Sequence, residues 1–111
     1  DGGLRAVVAN YACHATTLNG AFNRISGDWA GYAADFIEAD HPGAVAMIVI
    51  GCGADANPRE RGELDVCRRH GRSLADEVKR LAAAPGKPLD PHLVCRSTPA
   101  LQLTYLRAQL L

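Results

Sequence analysis

Aromatic residues are scarce in this chain, at 5% of its 111 positions. That scarcity excludes a stacking platform for single-stranded nucleic acid, which needs a ring for each bound base. Net charge is missing as well, because Lys+Arg and Asp+Glu both number 12. With no basic stripe in the sequence, neither nucleic acid nor an anionic membrane surface is an expected partner. No apolar run approaches the roughly 20 residues that span a bilayer, so no transmembrane segment is expected. The cysteines, Cys13, Cys52, Cys67 and Cys95, have no CxxC spacing and are too sparse for a disulfide scaffold. Reduced thiols are the expectation, with a Cys13–Cys52 disulfide or two-thiol metal site as the alternative. Asp1-Gly2-Gly3 begins no signal-peptide pattern. The first strand starts almost at once, which suggests that an upstream segment is missing.

A hydrophobic share of 48% suits a globular α/β chain that forms one domain or part of one. Leu4–Tyr11 reads as a strand with Val7 and Val8 at its apolar centre. Thr16–Arg24 reads as a loop around the Asn19-Gly20 turn signal. Ser26 or Asp28 is expected to cap a helix that runs to about Ala39. Its apolar face is Trp29, Ala33, Phe36 and Ile37. Gly31 either weakens this helix or lets it approach the sheet closely.

His41-Pro42-Gly43 ends the helix. The uninterrupted run Ala44–Ile50 is the best candidate for a buried strand. Strand, helix and strand make a βαβ unit, so the two strands should be parallel. A second helix fits Glu63–Ala84, where Leu64, Cys67, Gly71, Leu74, Val78 and Leu81 form a stripe made to pack on the sheet. Arg68, Arg69, His70 and Arg72 beside that stripe read as a solvated basic face. After Pro85-Gly86-Lys87-Pro88, alternation through Leu101, Leu103 and Tyr105 suggests a further strand within His92–Tyr105, broken near Pro99.

In open parallel α/β sheets, ligands bind beyond the carboxyl ends of the strands. Two clusters occupy that position. Cys13-His14 follows the first strand, and Gly51-Cys52-Gly53-Ala54-Asp55-Ala56-Asn57 follows the second. His14, Asp28 and Asp55 could therefore converge. A neutral imidazole is a good zinc ligand, and a nearby carboxylate can complete or orient a site. The small residues Gly51, Cys52 and Gly53 would let backbone N–H groups approach a substrate oxygen. Plainer roles exist for the same residues. His14 could be a hydrogen-bonding loop residue, Asp28 a helix cap, and Asp55 and Asn57 braces of their own loop.

Three segments carry a more specific signal: Asn-Tyr-Ala-Cys-His at 10–14, Ile-Ser-Gly-Asp-Trp-Ala-Gly-Tyr-Ala at 25–33, and Gly-Cys-Gly-Ala-Asp-Ala-Asn-Pro-Arg at 51–59. In order and spacing, over roughly residues 5–85, they resemble the neutral/alkaline non-lysosomal ceramidase family. The resemblance implies a zinc amidohydrolase that cleaves the N-acyl bond of ceramide, with the metal held by two His, a Glu and a Tyr. A serine in a Gly-Asp-x-Ser-Pro loop contributes to the chemistry in that family. By the same resemblance His14 matches the second zinc His, Asp28 an acidic position bordering the site, and Asp55 the Asp of the serine loop. Asn57 stands where the family has its serine, and an amide is a poor nucleophile. No His precedes His14 to serve as the first ligand, and the family's Glu and Tyr lie beyond residue 111.

Three readings follow from this pattern. The chain could be a fragment of a larger enzyme, or a shortened relative that has lost catalysis. It could instead belong to a serine-lacking branch in which a metal-bound water attacks and Asn57 donates to the developing oxyanion. The expectation is thus one α/β domain over residues 1–111, part of a larger ceramidase-like catalytic domain. It comprises a βαβ unit with parallel strands, a second packed helix and a further C-terminal strand. His14 is the metal residue, Asp55 and Asn57 the catalytic candidates, and Asp28, Gly51, Cys52 and Gly53 the substrate-binding ones. A lipid amide is the substrate. The competing class is a non-catalytic module that binds a partner or forms a homo-oligomer through exposed apolar surface or an open sheet edge.

Overall fold

A computed structural model of the chain describes residues 3–92, 94 and 95. Its elements run in the order β1 (Ala6–Tyr11), α1 (Asp28–Asp40), β2 (Val45–Ile50) and α2 (Leu64–Ala82). The strands pair in parallel, with register from Ala6 opposite Val45 to Tyr11 opposite Ile50. This is the mixed α/β architecture that the alternation of apolar runs and helical stripes implies. The further strand expected within His92–Tyr105 lies largely outside the described residues. His92, Val94 and Cys95 themselves belong to no helix or strand. No described helix is long and apolar enough to cross a membrane.

Helix α1 begins one residue after its N-cap, Gly27, whose lack of a side chain leaves the first N–H groups to its neighbours. The Ser26 hydroxyl accepts from the Asp28 N–H at 3.1 Å, and the Asp28 carboxylate accepts from the Trp29 N–H at 2.7 Å. Both expected capping residues therefore serve the first turn, from either side of the cap itself. The face read from the sequence is the face that packs. Trp29, Ala33 and Ile37 are buried, and Phe36 is half-buried.

Helix α2 differs from expectation in what it packs against. Its stripe is centred on Val66, Cys67, Gly71 and Ala75, and it lies along α1 rather than across the sheet. Leu64 and Leu81, at the two ends, stay exposed. The physical reason sits at Gly71. A Cβ there would lie 2.5 Å from Tyr32 Cβ and 2.9 Å from both the Ala33 N and the Trp29 O. Glycine alone permits two helix backbones to come this close. Gly31, by contrast, faces open space and serves no close approach.

The basic face of α2 is not simply solvated. The Arg72 guanidinium lies 5.0 Å from the Phe36 ring centroid and pairs with Asp40 at 2.5 Å and Asp76 at 2.8 Å. Arg68 lies over Tyr32 at 6.0 Å, and Arg69 pairs with Glu60 at 3.0 Å. Cation–π contacts and charge-assisted bonds of this kind tie α2 to α1 and to the preceding loop.

The sheet also departs from the sequence reading. An apolar run such as Val45–Ile50 normally signals a strand buried on both faces. Here only one face is shielded, at Val7, Ala9, Ala46 and Ile48, while Val8, Val45, Met47 and Val49 are exposed on the other. Both described helices leave that second face uncovered. The core proper lies to one side, where Cys13, Trp29 and Cys67 cluster with Leu18, Ala30, Tyr32, Ile48 and Leu74.

Candidate functional site

The parallel register brings the carboxyl ends of β1 and β2 side by side, so the loops that follow them emerge together. They are stitched by backbone and side-chain hydrogen bonds. The His14 N–H donates to the Ala56 carbonyl at 2.9 Å, and the Gly62 N–H donates to the Thr17 carbonyl at 2.7 Å. The Thr16 hydroxyl donates to Asn57 Oδ1 at 3.1 Å. Gly53 is buried against Cys13, where an added Cβ would make ordinary van der Waals contact at 3.4–3.5 Å.

His14 is anchored at three atoms. Besides its N–H, its carbonyl accepts from the Trp29 indole at 2.9 Å, and Nε2 lies 2.8 Å from the Ala54 carbonyl. A carbonyl can only accept, so Nε2 carries the proton and the neutral ring keeps its lone pair on Nδ1. That is how metal-binding histidines are commonly oriented, with one nitrogen donating to a backbone oxygen and the other available. The receiving residue is strained. Ala54 has φ of +38°, a left-handed conformation costing about 1–2 kcal/mol for a residue with a Cβ. Such strain tends to gather at functional loops.

Asp28 does not join His14 as a second open ligand. It is 5% exposed, has φ of +52°, and spends its carboxylate on backbone N–H groups. Oδ2 accepts from the Leu18 N–H at 2.8 Å while Oδ1 holds the Trp29 N–H. Burial alone would raise its pKa, yet the hydrogen bonds from Leu18 and Trp29, helped by nearby Thr17, outweigh that effect and lower it. Although the Thr17 hydroxyl is fully buried beside this group, it forms no hydrogen bond of good geometry among the described residues. Asp28 is a buried anion that braces the loop onto α1.

The same anion governs two thiols. Burial, then the charge of Asp28, pushes Cys67 up to about 12 from an ordinary 9.0. Cys13 is raised by the same two causes. Both thiols are buried, whereas Cys52 and Cys95 are exposed, and all four cysteines are free.

The remaining predicted residues spread along the second loop. Asp55 is exposed, and its carbonyl accepts from Asn57 Nδ2 at 3.0 Å, an Asx-type brace. Gly51 lies against Asn10, with an added Cβ only 2.7 Å from Asn10 Oδ1. Among the predicted site residues, Asp28 lines a cleft of about 200 Å³ with Ser26, Gly27, Gly31, Tyr32 and Asp35, and Asn57 borders another. That cleft, of about 470 Å³, also takes in Tyr11, Cys13, Trp29, Pro58, Arg59, His70, Ser73, Leu74 and Glu77.

Of the α2 residues at this cleft, the sequence pattern places Leu74 on the buried stripe and His70 on the basic face, and it assigns neither Ser73 nor Glu77 to a site. Yet residues 70, 73, 74 and 77 recur at steps of three, one and three, so they form a second helical stripe beside the packed one. Asking what that neighbouring stripe faces would have found them.

Among the described residues, no three His, Cys, Asp or Glu side chains converge as a metal cluster. A zinc ion held by protein needs three or four such ligands. The described residues thus offer one well-oriented imidazole and do not by themselves fit a zinc ion. Compared with protein-family models, curated proteins and solved structures, the chain finds no match.

Proposed function

We propose that this chain is a segment of a zinc-dependent amidohydrolase similar to neutral ceramidase, acting on the N-acyl amide bond of a sphingolipid-like substrate. The observation that carries this reading is the stitching of the two motif loops through His14. Its Nε2 is tied to the Ala54 carbonyl and Nδ1 is left as a ligand atom. In this reading His14 supplies one metal ligand, and the others come from outside the described residues.

Asn57 holds its place through Thr16 and the Asp55 carbonyl. One of its two amide protons remains to donate to an oxyanion as the acyl carbon becomes tetrahedral. Asp55 acts through its backbone on Asn57, and Asp28 acts by fixing the loop rather than by touching substrate. Metal analysis and fatty-acid release from an N-acyl sphingoid substrate, carried out on a longer protein that contains this segment, test the reading. About one zinc per molecule with measurable hydrolysis, both lost in His14→Ala, are expected. A longer protein that binds no zinc and releases no fatty acid, or that keeps both in His14→Ala, refutes it.

A second reading is favoured by the exposed sheet face. Val8, Val45 and Met47 are 69%, 66% and 59% exposed, a contiguous apolar patch on a fold whose strands normally carry cover on both faces. A non-catalytic domain that self-associates through this face would explain it. Sedimentation of the wild type against Met47→Glu tests this alternative, which a hydrolytically active monomer would eliminate.

A further inference from the structure

The cleft between the end of β1, the 57–59 turn and α2 has the features of a small-molecule site in its own right. Its volume, about 470 Å³, falls within the range of ligand pockets, and most of its wall is apolar. That wall is rigid. Tyr11 meets Trp29 edge-on, with ring centroids 5.6 Å apart and planes at 90°. Trp29 is 3% exposed and is locked by its indole bond to the His14 carbonyl. Pro58 and Leu74 supply further apolar surface.

The polar groups decide what kind of molecule fits. Glu77 gives both carboxylate oxygens to Arg80, at 2.7 and 2.5 Å. The Ser73 hydroxyl donates to the Arg69 carbonyl, and His70 Nε2 lies 3.1 Å from the Glu60 carbonyl. Asn57 is held by Thr16 and Asp55, with one neutral amide N–H left over. Arg59 differs, since among the described residues it makes no ion pair. The uncompensated charge at the cleft is therefore one positive, planar guanidinium. Its fork of donors matches a carboxylate bidentately.

We propose that this cleft binds an aromatic monocarboxylate, its ring against Tyr11 and its carboxylate on Arg59. Tyr11 is 52% exposed and is held edge-on by the buried Trp29, so its ring is a fixed surface on which a flat ligand ring can stack. Binding of this kind needs neither zinc nor turnover, so it stands or falls separately from amide hydrolysis.

Trp29 is the sole tryptophan of the chain, so its indole N–H gives a single, assignable NMR signal. The experiment titrates the full chain with 2-naphthoate and follows that signal together with the Ser73 and Leu74 amides. Saturable shifts are expected, with Kd on the order of 1 mM for a ligand of this size. Arg59→Ala should weaken binding about fivefold, and the neutral 2-naphthamide should bind as weakly to the wild type. Ser73→Phe, which places a ring at the cleft, should abolish the shifts while the circular dichroism stays unchanged.

The proposal is overturned if the shifts do not saturate, or if they centre on Val8 and Met47. Equal binding of the amide and the acid removes the role of Arg59. Tighter binding of decanoate than of naphthoate overturns the aromatic specificity.

Discussion

Replacing Gly71 with alanine puts a methyl group where the backbone of α1 already lies. The new carbon would sit 2.5 Å from Tyr32 Cβ and 2.9 Å from Ala33 N and Trp29 O. Unstrained contacts between heavy atoms lie near 3.5–4.0 Å, so the helices must part by about 1 Å. Two of the three obstructing atoms are main-chain and cannot rotate aside. Overpacking typically costs about 1–3 kcal/mol, and the upper end applies to a clash with backbone. Alanine returns about 1 kcal/mol in helix propensity. The expected net loss is about 2 kcal/mol, or roughly 10 °C in melting temperature for a domain of this size.

Gly31→Ala is the matched control. It lies in the interior of α1, where an added Cβ meets nothing within 4 Å, so propensity should dominate. A gain of about 0.5–1 kcal/mol is expected. Urea unfolding of both variants, followed by Trp29 fluorescence and far-ultraviolet circular dichroism, measures the two changes. A Gly71→Ala chain as stable as the wild type would refute the close packing of α1 on α2. A gain in both variants would show that propensity alone operates at both sites.

Other consequences of the geometry can be measured directly. Ala54→Gly relieves a left-handed alanine, and after the entropic cost of glycine it should stabilise by about 0.5–1 kcal/mol in the same urea assay. The lowered pKa of Asp28 means that the unfolded chain takes up its proton first as pH falls. The stability it contributes is fully present above the ordinary carboxylate value near 4 and is lost as pH drops through the folded value. Asp28→Asn, which tolerates the same positive φ, should flatten the acid limb of a stability–pH profile. It should also cost about 1–3 kcal/mol at neutral pH, because one backbone N–H loses its acceptor.

Cys67 behaves in the opposite sense. Its thiol is held to about 12, so its contribution is whole below 9.0 and disappears between 9.0 and about 12 as the unfolded chain ionises first. A thiol reagent at neutral pH should therefore label Cys52 and Cys95 rapidly, and Cys13 and Cys67 only after unfolding. Fast labelling of Cys67 in the folded chain would contradict its burial.

The order of elements was legible in the sequence because it depends on local chemistry. Apolar runs marked the two strands, and Trp29, Ala33 and Ile37 at helical spacing marked the buried face of α1. The turn at His41-Pro42-Gly43 and the parallel pairing followed from proline, glycine and the rule for βαβ units. That residues 10–14 and 51–59 lie side by side was also readable, since both sit at the carboxyl ends of parallel paired strands.

What each surface faces was not readable. A helical stripe reports that it will be buried but not against what, so α2 was assigned to the sheet when Gly71 fits it to α1. A run of β-branched residues calls for cover on both faces, yet the described helices shield only one side of Val45–Ile50. Asp28, His70 and Glu77 show the same limit at the level of single residues. A carboxylate or imidazole looks alike in sequence whether its charge is held inside, tied to a carbonyl or turned toward a cleft. Tertiary placement decided between these roles: the bond from the Leu18 N–H to Asp28, the packing of α2 along α1, and the contact of two loops that are about forty residues apart.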